Sequence, residues 1–357
     1  MLSARPLISI IVPARNEEAC IARCLESLIA QSGVSFEIIV VDDASTDRTR
    51  EIARSFPEVR IVDPAPLLDG WSGKNNAVFS GAREAHGDWF LFTDADTVHH
   101  TGSLARAVAE AHHHTADLLS YSPEQEVHGF WEKAVMPVIF AELATTYRPS
   151  QVSDPASPAA AANGQYLLIT REAYDAVGGH AAVAASLLED VDLARAVKAS
   201  GRKIYFRYAP DAVRTRMYRS FSELCEGWTK NLTLLFPSPV GLSFVRATEF
   251  VLIVGAMSTA AVLATQRAFL PATVAALLGS VLYAWFLGRI RRAHFSWDAN
   301  LMAIFGLSIF SYLLLRSRLS HRAGKVSWKG RTYGQRSSAI PEGNANHIGP
   351  NALSGRA

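Results

Sequence analysis

Three clusters of acidic and polar residues follow short apolar runs near the beginning of this 357-residue chain. They occupy residues 13–18, 42–47 and 93–97. Carboxylates gathered without matching bases repel one another, so such clusters usually need a divalent cation, hydroxyl donors or a sugar beside them. The residue types therefore indicate a polar ligand site if the fold brings the three clusters together.

Alternating strands and helices must position these clusters. Short apolar runs predict buried strands, and helical spacing of apolar residues predicts helices, in the order strand 7–12, helix 17–31, strand 37–41, helix 47–56, strand 59–62, helix 74–85 and strand 89–92. This order predicts an α/β fold with a doubly wound, mostly parallel sheet and helices on both faces. Ligands of such sheets bind beyond the carboxyl ends of the strands, which is where all three clusters fall.

Composition and charge argue against other classes of protein. Hydrophobic residues make up 49% of the chain, which fits about two folded units and excludes disorder throughout. Residues 1–266 carry a formal charge of −8, which argues against nucleic acid as a partner, and residues 267–357 carry +10. A basic, apolar second part fits the inner face of a membrane. The three cysteines have neither disulfide-framework nor zinc spacing, which favours a reduced, cytoplasmic compartment.

Two common nucleotide-binding motifs are absent from the sequence. No G-x-G-x-x-G occurs, so a dinucleotide-dependent oxidoreductase loses its main support. The Gly73-Lys74 pair superficially suggests a phosphate-binding loop, but Leu68 and Asn75 stand where that motif requires Gly and Ser or Thr.

Five motifs, in this order along the chain, resemble those of family 2 glycosyltransferases with the GT-A fold. They are VPARNEE, VDDASTDRT, WSGKNNA, TDADT, and NGQYLLITREAYDAVGGH followed by LLEDVDLARAVKASG. The resemblance covers about residues 5–235 and is nearest to the membrane-associated, non-processive branch, which includes ceramide glucosyltransferase-like, hopanoid-associated and carotenoid-acid glycosyltransferases. It implies a nucleotide-sugar donor, a divalent Mg²⁺ or Mn²⁺ ion and an inverting displacement.

The resemblance also implies a donor site. It places Ala14 and Glu17 beside the nucleoside, Asp43 on the uracil and Lys74 near the base or ribose. Asp94 and Asp96 would follow, with Asp94 towards the ribose and Asp96 on the metal that bridges the diphosphate. Such an ion prefers few carboxylates plus phosphate oxygens and would neutralise the leaving group. The alternative for these aspartates is turn and helix-cap chemistry after strands.

A further acidic pair, Glu189-Asp190, precedes a helical pattern at residues 191–197. Helix capping could explain both residues. In the family, however, the aspartate of this pair faces the acceptor hydroxyl, and an inverting reaction needs a base to take that proton. We therefore predict that Asp190 is the catalytic base.

The cationic partner of the diphosphate stays open. Processive sugar polymerases and ceramide-type enzymes typically carry a Q/R-x-x-R-W block after the base, whereas residues 224–228 here read Leu-Cys-Glu-Gly-Trp. The missing arginine argues against a polysaccharide synthase. The candidate contacts of the diphosphate or the acceptor are Glu189, Arg216, Arg219, Trp228 and Lys230, although the three cations among them could equally be solvated or lipid-facing charges.

Several remaining polar features are predicted to have no chemical role. His99, His100 and His112–His114 lack metal spacing and are expected to be exposed to solvent. His180 is expected to lie on a turn with an exposed imidazole. Residues 149–162, rich in Pro, Ser and Ala, are predicted to form a mobile loop that could close over the donor.

The second part of the chain is predicted to be membrane-bound. Charge-free runs of 17, 21 and 17 residues lie at 250–266, 268–288 and 299–315, against about 20 needed to cross a bilayer. Segments 130–143 and 232–245 are expected to lie on the membrane surface. The expected organisation is a catalytic domain at 1–230, an interfacial segment at 231–248, a membrane region with two to three helices at 249–316, a basic segment at 317–334 and a disordered tail at 335–357.

The basic residues of the third part of this region bear on topology. Three full crossings from a cytoplasmic catalytic domain would place the basic cluster at 316–331 outside, against the positive-inside rule. We therefore predict that residues 301–315 form a shallow or re-entrant helix. Residues 326–331 would then return to the cytoplasmic side, where they could line the entrance for the acceptor or act as an interfacial anchor.

The leading hypothesis is an inner-membrane, multi-pass enzyme that moves one sugar from a nucleotide sugar, expected to be a UDP-sugar, to the hydroxyl or carboxyl of a lipid. A polyprenyl phosphate remains an alternative acceptor. A nucleotidyltransferase of related fold would need a glycine-rich basic loop, which residues 12–18 lack. An inactive membrane scaffold is opposed by the intact Asp43, Asp94, Asp96 and Asp190.

Overall fold

The computed structural model describes residues 7–328 and 330–333, and a seven-stranded sheet forms its centre. The sheet order is β3-β2-β1-β4-β8-β6-β9, in which β8 alone runs antiparallel to its neighbours. A second sheet has the order β5-β10-β7, and a hairpin pairs β11 with β12. The strands are β1 Ile8–Ala14, β2 Phe36–Asp42, β3 Val59–Val62, β4 Trp89–Phe92, β5 Thr97–His99, β6 Leu118–Ser122, β7 Glu124–Gln125, β8 Leu167–Thr170, β9 Ile204–Tyr208, β10 Val213–Thr215, β11 Val326–Trp328 and β12 Arg331–Tyr333.

Helices cover both faces of the main sheet, and further helices dominate the chain after β10. They are α1 Ile21–Ile29, α2 Thr49–Arg54, α3 Gly73–Glu84, α4 Ser103–His113, α5 Phe130–Thr146, α6 Pro149–Val152, α7 Arg171–Ala176, α8 Gly179–Ala182, α9 Glu189–Ala199, α10 Phe221–Leu235, α11 Pro239–Thr265, α12 Phe269–Ile290 and α13 Trp297–Arg322, with a 3-10 turn at Arg291–Ala293. The predicted doubly wound, mostly parallel sheet is confirmed.

Apolar side chains on the two faces of the main sheet form two separate cores. One contains Ile8, Ile10 and Val12 of β1, and the other contains Ile11 of the same strand. Because side chains alternate along a strand, a continuous apolar run can be buried on both faces only in a sheet with helices on each side. The run that predicted a buried strand therefore also supplies both cores.

The first helix begins later than the sequence predicted. Residues 17–20 form a turn in which the backbone N–H groups of Cys20 and Ile21 both donate to the carbonyl of Glu17, at 3.0 and 2.9 Å, and α1 starts at Ile21. Asp47, predicted as helical, lies before α2 and accepts a hydrogen bond from the backbone N–H of Thr49 at 3.0 Å. In both places, polar residues predicted to be helical instead lie in the loops at the carboxyl end of the sheet.

Within the described residues, three helices are long and apolar enough to cross a membrane. They are α11, α12 with the 3-10 turn that follows it, and α13, with mean hydropathies of 1.8, 1.8 and 1.6. In the most apolar stretch of each helix, 17% of the residues of α11 and of α12 are buried by other parts of the protein, but 50% of those of α13 are. The third helix packs along α5, α10 and α11, so it differs from the first two in its surroundings.

The prediction that segment 130–143 lies on a membrane surface is wrong. These residues belong to α5, in which Val135, Met136 and Ile139 are buried in a core shared with α13. The close packing depends on Gly306 of α13, where a side chain would overlap the backbone carbonyl of Ala134. A helix that is apolar on all sides is typical of the protein interior, and the run at 134–139 has this character.

Segment 232–245 likewise does not form one surface helix. Its first residues end α10, with Leu232 fully buried, and its last residues begin α11 after a break at 236–238. Pro237 and Pro239 explain the break. Proline has no backbone N–H to donate within a helix, and it disfavours helical backbone angles at the residue before it. The predicted interfacial segment is thus a junction between two packed helices.

Smaller features complete the comparison with the sequence. Within residues 149–162, Val152, Ala161 and Ala162 are buried, and Lys198 donates to the carbonyl of Val152 at 2.7 Å, so both ends of this otherwise exposed segment are anchored. His99 and His180 are buried, not exposed, at 5% and 3% exposure. His112–His114 are exposed, as predicted.

Candidate active site

All twelve residues proposed from the sequence line one cavity of about 830 Å³ at the carboxyl end of the main sheet. They come from the ends of β1, β2 and β4, from α3, α9 and α10, and from the segment after β10. The residues are Ala14, Glu17, Asp43, Lys74, Asp94, Asp96, Glu189, Asp190, Arg216, Arg219, Trp228 and Lys230. Sequence motifs separated by up to 200 positions therefore meet at a single site.

The loops after β1 and β2 hold one another in place around Asp43. Arg15 donates to the backbone carbonyl of Asp43 at 2.6 Å, and the side chain of Asn16 accepts from the backbone N–H of Thr46 at 2.9 Å. Asn16 and Ala44 both have positive φ angles, of 53° and 55°, which turn the two loops sharply. These contacts between the two loops hold the backbone of Asp43 in place.

Lys74 links two acidic parts of the cavity. Its Nζ lies 2.8 Å from Asp94 and 2.8 Å from Glu189. Burial alone would lower the pKa of Lys74, but Asp94 and Glu189 outweigh that effect and hold it well above its usual value. Lys74 is the second residue of α3, and Ser72 caps that helix by accepting from the backbone N–H of Asn75 at 3.1 Å.

Asp190 occupies the first turn of α9 and is held by backbone donors. Its two carboxylate oxygens accept from the N–H of Gly164 and from its neighbour Val191, each at 2.8 Å. Burial, followed by the charge of Glu189, raises the pKa of Asp190 to about 6.

Glu189 shows the opposite change. Burial raises the pKa of its carboxyl, but Lys74 and then Lys230 outweigh this and hold it below the ordinary value, so Glu189 stays ionised. Two adjacent carboxyls with pKa values moved apart are typical of a pair with different chemical roles. The geometry suits Asp190 to accept a proton near neutral pH.

The loop that carries Asp94 and Asp96 is supported from behind by buried polar residues. Thr97 donates to the backbone carbonyl of Asp94 at 2.7 Å, and Thr215 of β10 donates to that of Asp96 at 3.3 Å. The Nε2 of His99 lies 3.0 Å from the hydroxyl of Thr93. Burial lowers the pKa of His99 to about 3, so its imidazole is neutral and serves as a support.

The residues present fit a metal ion that would reach the site together with a diphosphate. Asp94 and Asp96 line the same cavity, two positions apart. Among residues 7–328 and 330–333, however, no three His, Cys, Asp or Glu side chains converge as a preformed metal site would require. Mg²⁺ and Mn²⁺ sites that use one or two carboxylates and substrate phosphates have this character.

The three candidate cations are not equivalent. Arg216 is committed to Glu132 of α5, with its Nε and Nη2 atoms 3.1 and 2.8 Å from that carboxylate. Arg219 is exposed, whereas Lys230 is partly buried beside the cavity. The Nζ of Lys230 lies 5.7 Å from the centre of the Trp328 ring and makes no ion pair with a residue that the structure describes. Lys230 is thus the best-placed cation for an anionic ligand.

A hairpin from the far end of the chain also reaches the cavity. Trp328 and Arg331 line it, and Arg331 makes a two-pronged ion pair with Asp43. The sequence predicted that residues 326–331 return to the cytoplasmic side, where they could line the acceptor entrance or act as an interfacial anchor, but it gave no signal for the Arg331–Asp43 pair or for the support by Glu132 and His99. The Arg331–Asp43 and Arg216–Glu132 pairs join residues 288 and 84 positions apart, and the role of His99 depends on its burial, none of which a local pattern encodes.

Part of the cavity lining is apolar. Phe140, Leu143 and Leu235 belong to it and come from α5 and α10, which pack against the membrane-type helices. Arg292 and His294, after α12, also line the cavity, and His294 stacks on Tyr208 of β9. The cavity therefore joins residues of the sheet to residues of the helices beside the long apolar ones.

Known proteins share both the domain and the overall arrangement. A family model described as "Glycosyl transferase family 2" matches residues 9–176. A 4,4'-diaponeurosporenoate glycosyltransferase of Staphylococcus aureus strain USA300 is 28% identical over 341 residues, covering 91% of this chain and 88% of the relative.

A solved structure, that of a mannosyltransferase from Pyrobaculum calidifontis in complex with GDP-Man and Mn²⁺, is 17% identical with a TM-score of 0.51. It covers 89% of this chain and 87% of that one, and at this identity it shows the fold alone. The motifs, their convergence at one sheet edge and the matched domain agree. Residues 9–176 therefore match a glycosyl transferase family 2 domain, and the protein is a glycosyltransferase.

Proposed function

We propose that this enzyme transfers a single sugar from a nucleotide-diphosphate sugar, expected to be a UDP-sugar, to a lipid acceptor, with inversion at the anomeric carbon. The observation that carries the proposal is Asp190, a half-buried carboxyl held by the backbone N–H groups of Gly164 and Val191, with a pKa raised to about 6, in the cavity that Asp43 and Asp96 share. A base of this pKa accepts a proton effectively near neutral pH.

The reaction would be one direct displacement. The acceptor oxygen attacks the anomeric carbon as the bond from that carbon to the diphosphate oxygen breaks, and the hydroxyl proton passes to Asp190. Attack on the face opposite the leaving group inverts the anomeric centre. The backbone N–H groups of Gly164 and Val191 hold the Asp190 carboxylate in one orientation during this step.

The donor would lie across the ends of β1, β2 and β4. Ala14, Glu17 and Asp43 would surround the nucleoside, and Asp94 with Lys74 would face the ribose. Asp96 would hold a divalent Mg²⁺ or Mn²⁺ ion, which when bound supplies positive charge to the diphosphate leaving group. Lys230 would take the place of the arginine that the Q/R-x-x-R-W block lacks, because it is partly buried in the cavity, whereas Arg219 is exposed and Arg216 is paired with Glu132.

The acceptor would enter along the apolar part of the cavity lining. Phe140, Leu143 and Leu235 could bind a hydrocarbon chain there while its polar head reaches Asp190. The Staphylococcus aureus relative is named for a carboxylate, diaponeurosporenoate. A lipid carboxylic acid is already ionised at neutral pH and needs no base, whereas the hydroxyl of a lipid alcohol must lose a proton. Because Asp190 is positioned to accept such a proton, a lipid alcohol fits this enzyme better as the acceptor.

The catalytic domain would face the cytoplasm, with α11 and α12 crossing the inner membrane. Two observations support a third helix that does not cross. Half of the apolar stretch of α13 is buried by protein, and the hairpin after α13 lines the same cavity as Asp190. A cysteine at Ser327 should resist a membrane-impermeant thiol reagent in intact cells and react after lysis. Labelling in intact cells would instead place the hairpin outside.

Mass spectrometry of lipids tests the transfer itself. Cells that express the wild-type enzyme should contain a lipid heavier by one sugar residue, and this product should be absent from cells that express Asp190→Asn. Asp192→Asn, a neighbouring carboxylate that accepts from Ser186 at 2.6 Å, is the matched control and should retain the product. A polymeric sugar product, or no lipid difference at all, would contradict the proposal.

A further inference from the structure

The hairpin of β11 and β12 places an arginine at the nucleoside end of the cavity. Arg331 Nη2 lies 2.9 Å from Oδ1 of Asp43, and its Nη1 bonds to Oδ2 of the same carboxylate. Both prongs of the guanidinium are therefore engaged by one carboxylate 288 positions earlier in the chain. Two parallel hydrogen bonds of this kind are the strongest common arrangement of an arginine and a carboxylate.

The guanidinium fills the space beside Asp43. A side chain at position 73 would overlap Arg331, so the guanidinium lies directly against Gly73 at the beginning of α3. The Asp43 side chain keeps only 12% of its surface exposed. A flat ligand can reach both Asp43 and the slot beside Gly73 only after Arg331 has moved.

A guanidinium and certain nucleobases offer a carboxylate the same chemistry. Both are planar, and both can present N–H to a carboxylate from one edge: two donors from the guanidinium fork or from guanine, and one from uracil. Uracil and guanine carry such an N–H in their ring edge, as the guanidinium does in its fork. Arg331 therefore satisfies Asp43 in the way that a base of this class would, while the positive charge also offsets the carboxylate.

We propose that Arg331 is a donor-site residue that occupies the nucleobase position until the donor displaces it. The inference rests on the proposed function, since it assumes that Asp43 receives the base. Arg331 lowers the apparent affinity for the donor by the fraction of molecules in which it covers Asp43. It also links the donor site to the segment that follows α13, because Arg331 belongs to β12 of the hairpin there.

Nucleotide binding to the full-length enzyme in detergent tests the competition. In Arg331→Ala, the dissociation constant of UDP, or of GDP if that is the nucleotide bound, should fall about 10-fold, as expected if Arg331 covers Asp43 in roughly nine molecules of ten. Arg322→Ala, which removes an exposed cation from the end of α13, should bind like the wild type. Asp43→Ala should bind neither nucleotide measurably.

The outcomes separate this inference from the proposed function. Weaker or unchanged binding by Arg331→Ala, with clear binding by the wild type, would overturn the competition and leave the donor site intact. If the wild type and Arg331→Ala both bind neither UDP nor GDP with metal present, the proposed donor site falls, and this inference falls with it.

Trypsin provides a readout that does not depend on affinity. Cleavage after Arg331 should be slow in the free enzyme, because the side chain is held by Asp43, and should accelerate when UDP or GDP binds. Cleavage after the exposed Lys325 is the internal reference and should not change. In Asp43→Asn, cleavage after Arg331 should be fast without nucleotide. Protection of Arg331 by nucleotide would show that the residue stays in place, contrary to the proposal.

Discussion

The enzyme contains two clusters of charged side chains, one partly exposed in the cavity and one buried, that differ in their balance of positive and negative charge. The site cluster consists of Lys74, Asp94, Glu189 and Asp190 and has one cation for three carboxyls. The brace cluster consists of Glu142, Arg246, Glu249 and Arg289 and has two of each sign.

The brace cluster closes its ion pairs within itself. Arg246 lies 3.0 Å from Glu142 and 2.8 Å from Glu249, and Arg289 pairs with the same two carboxylates, at 2.6 Å from Glu249. It joins α5, which packs on the catalytic domain, to α11 and α12. All four side chains are at most 12% exposed.

This difference separates a structural cluster from a chemical one. A neutral network pairs its charges internally and helps fix the angle between two parts of the molecule. The site cluster keeps an excess of negative charge, which adds to burial in raising the pKa of Asp190 and can be offset by a metal ion or by Lys230. Imbalance is thus the feature that indicates ligand binding.

The largest expected effect comes from opening the brace cluster. Arg289→Met should lower the free energy of unfolding by about 3–5 kcal/mol, because Glu142 and Glu249 would each lose a buried partner. Denaturation in detergent micelles measures this change. Arg267→Met, at the exposed turn between α11 and α12, is the matched control and should change stability by less than about 0.5 kcal/mol. Equal effects of the two substitutions would show that the brace cluster contributes no more to stability than an exposed arginine does.

A second expected effect concerns the excess negative charge of the site. Calorimetry with UDP should show that binding weakens at least 10-fold, or about 1.4 kcal/mol, in chelator and in Asp96→Ala. Asp69→Ala, an exposed aspartate outside the cavity, should bind UDP normally. Undiminished binding under both conditions would show that no metal offsets these carboxylates.

A smaller effect follows from the raised pKa of Asp190. The carboxylate form is the base, so turnover at saturating substrates should rise as the pH passes about 6 and level off above it. The folded protein prefers protonated Asp190, so this contribution to stability is present below the unfolded pKa near 4 and is lost as pH rises through about 6. Relative to the wild type, Asp190→Asn should therefore gain stability with rising pH across that range. A pH-independent difference between the two proteins would contradict the shift.

The sequence predicted the site better than its surroundings, for physical reasons. The motifs around Asp43, Asp94 and Asp190 follow strands or begin a helix, so the parallel sheet alone brings them to one edge. Arg216 and Arg331 carry the same charge in the sequence, yet one pairs with Glu132 and the other with Asp43. Such choices depend on which carboxylate the tertiary fold places nearby, and spacing does not record that.

Helix α5 shows the same limit for apolar residues. Its run at 134–139 is as apolar as a membrane-surface segment, and only the close approach of Gly306 reveals that it is buried against α13. Hydrophobicity predicts that a segment leaves water, but it does not say whether lipid or protein takes the place of water.

The central claim is that Asp190 takes the proton from the acceptor. The most direct test measures turnover and UDP binding together for Asp190→Asn and Asp192→Asn, with the lipid product that the wild-type enzyme forms as the readout. Asp190→Asn should keep UDP binding but lose at least about 100-fold in turnover, because the isosteric amide cannot accept the proton, whereas Asp192→Asn should remain active. Normal turnover by Asp190→Asn together with an inactive Asp192→Asn would show that the base lies two residues further along α9.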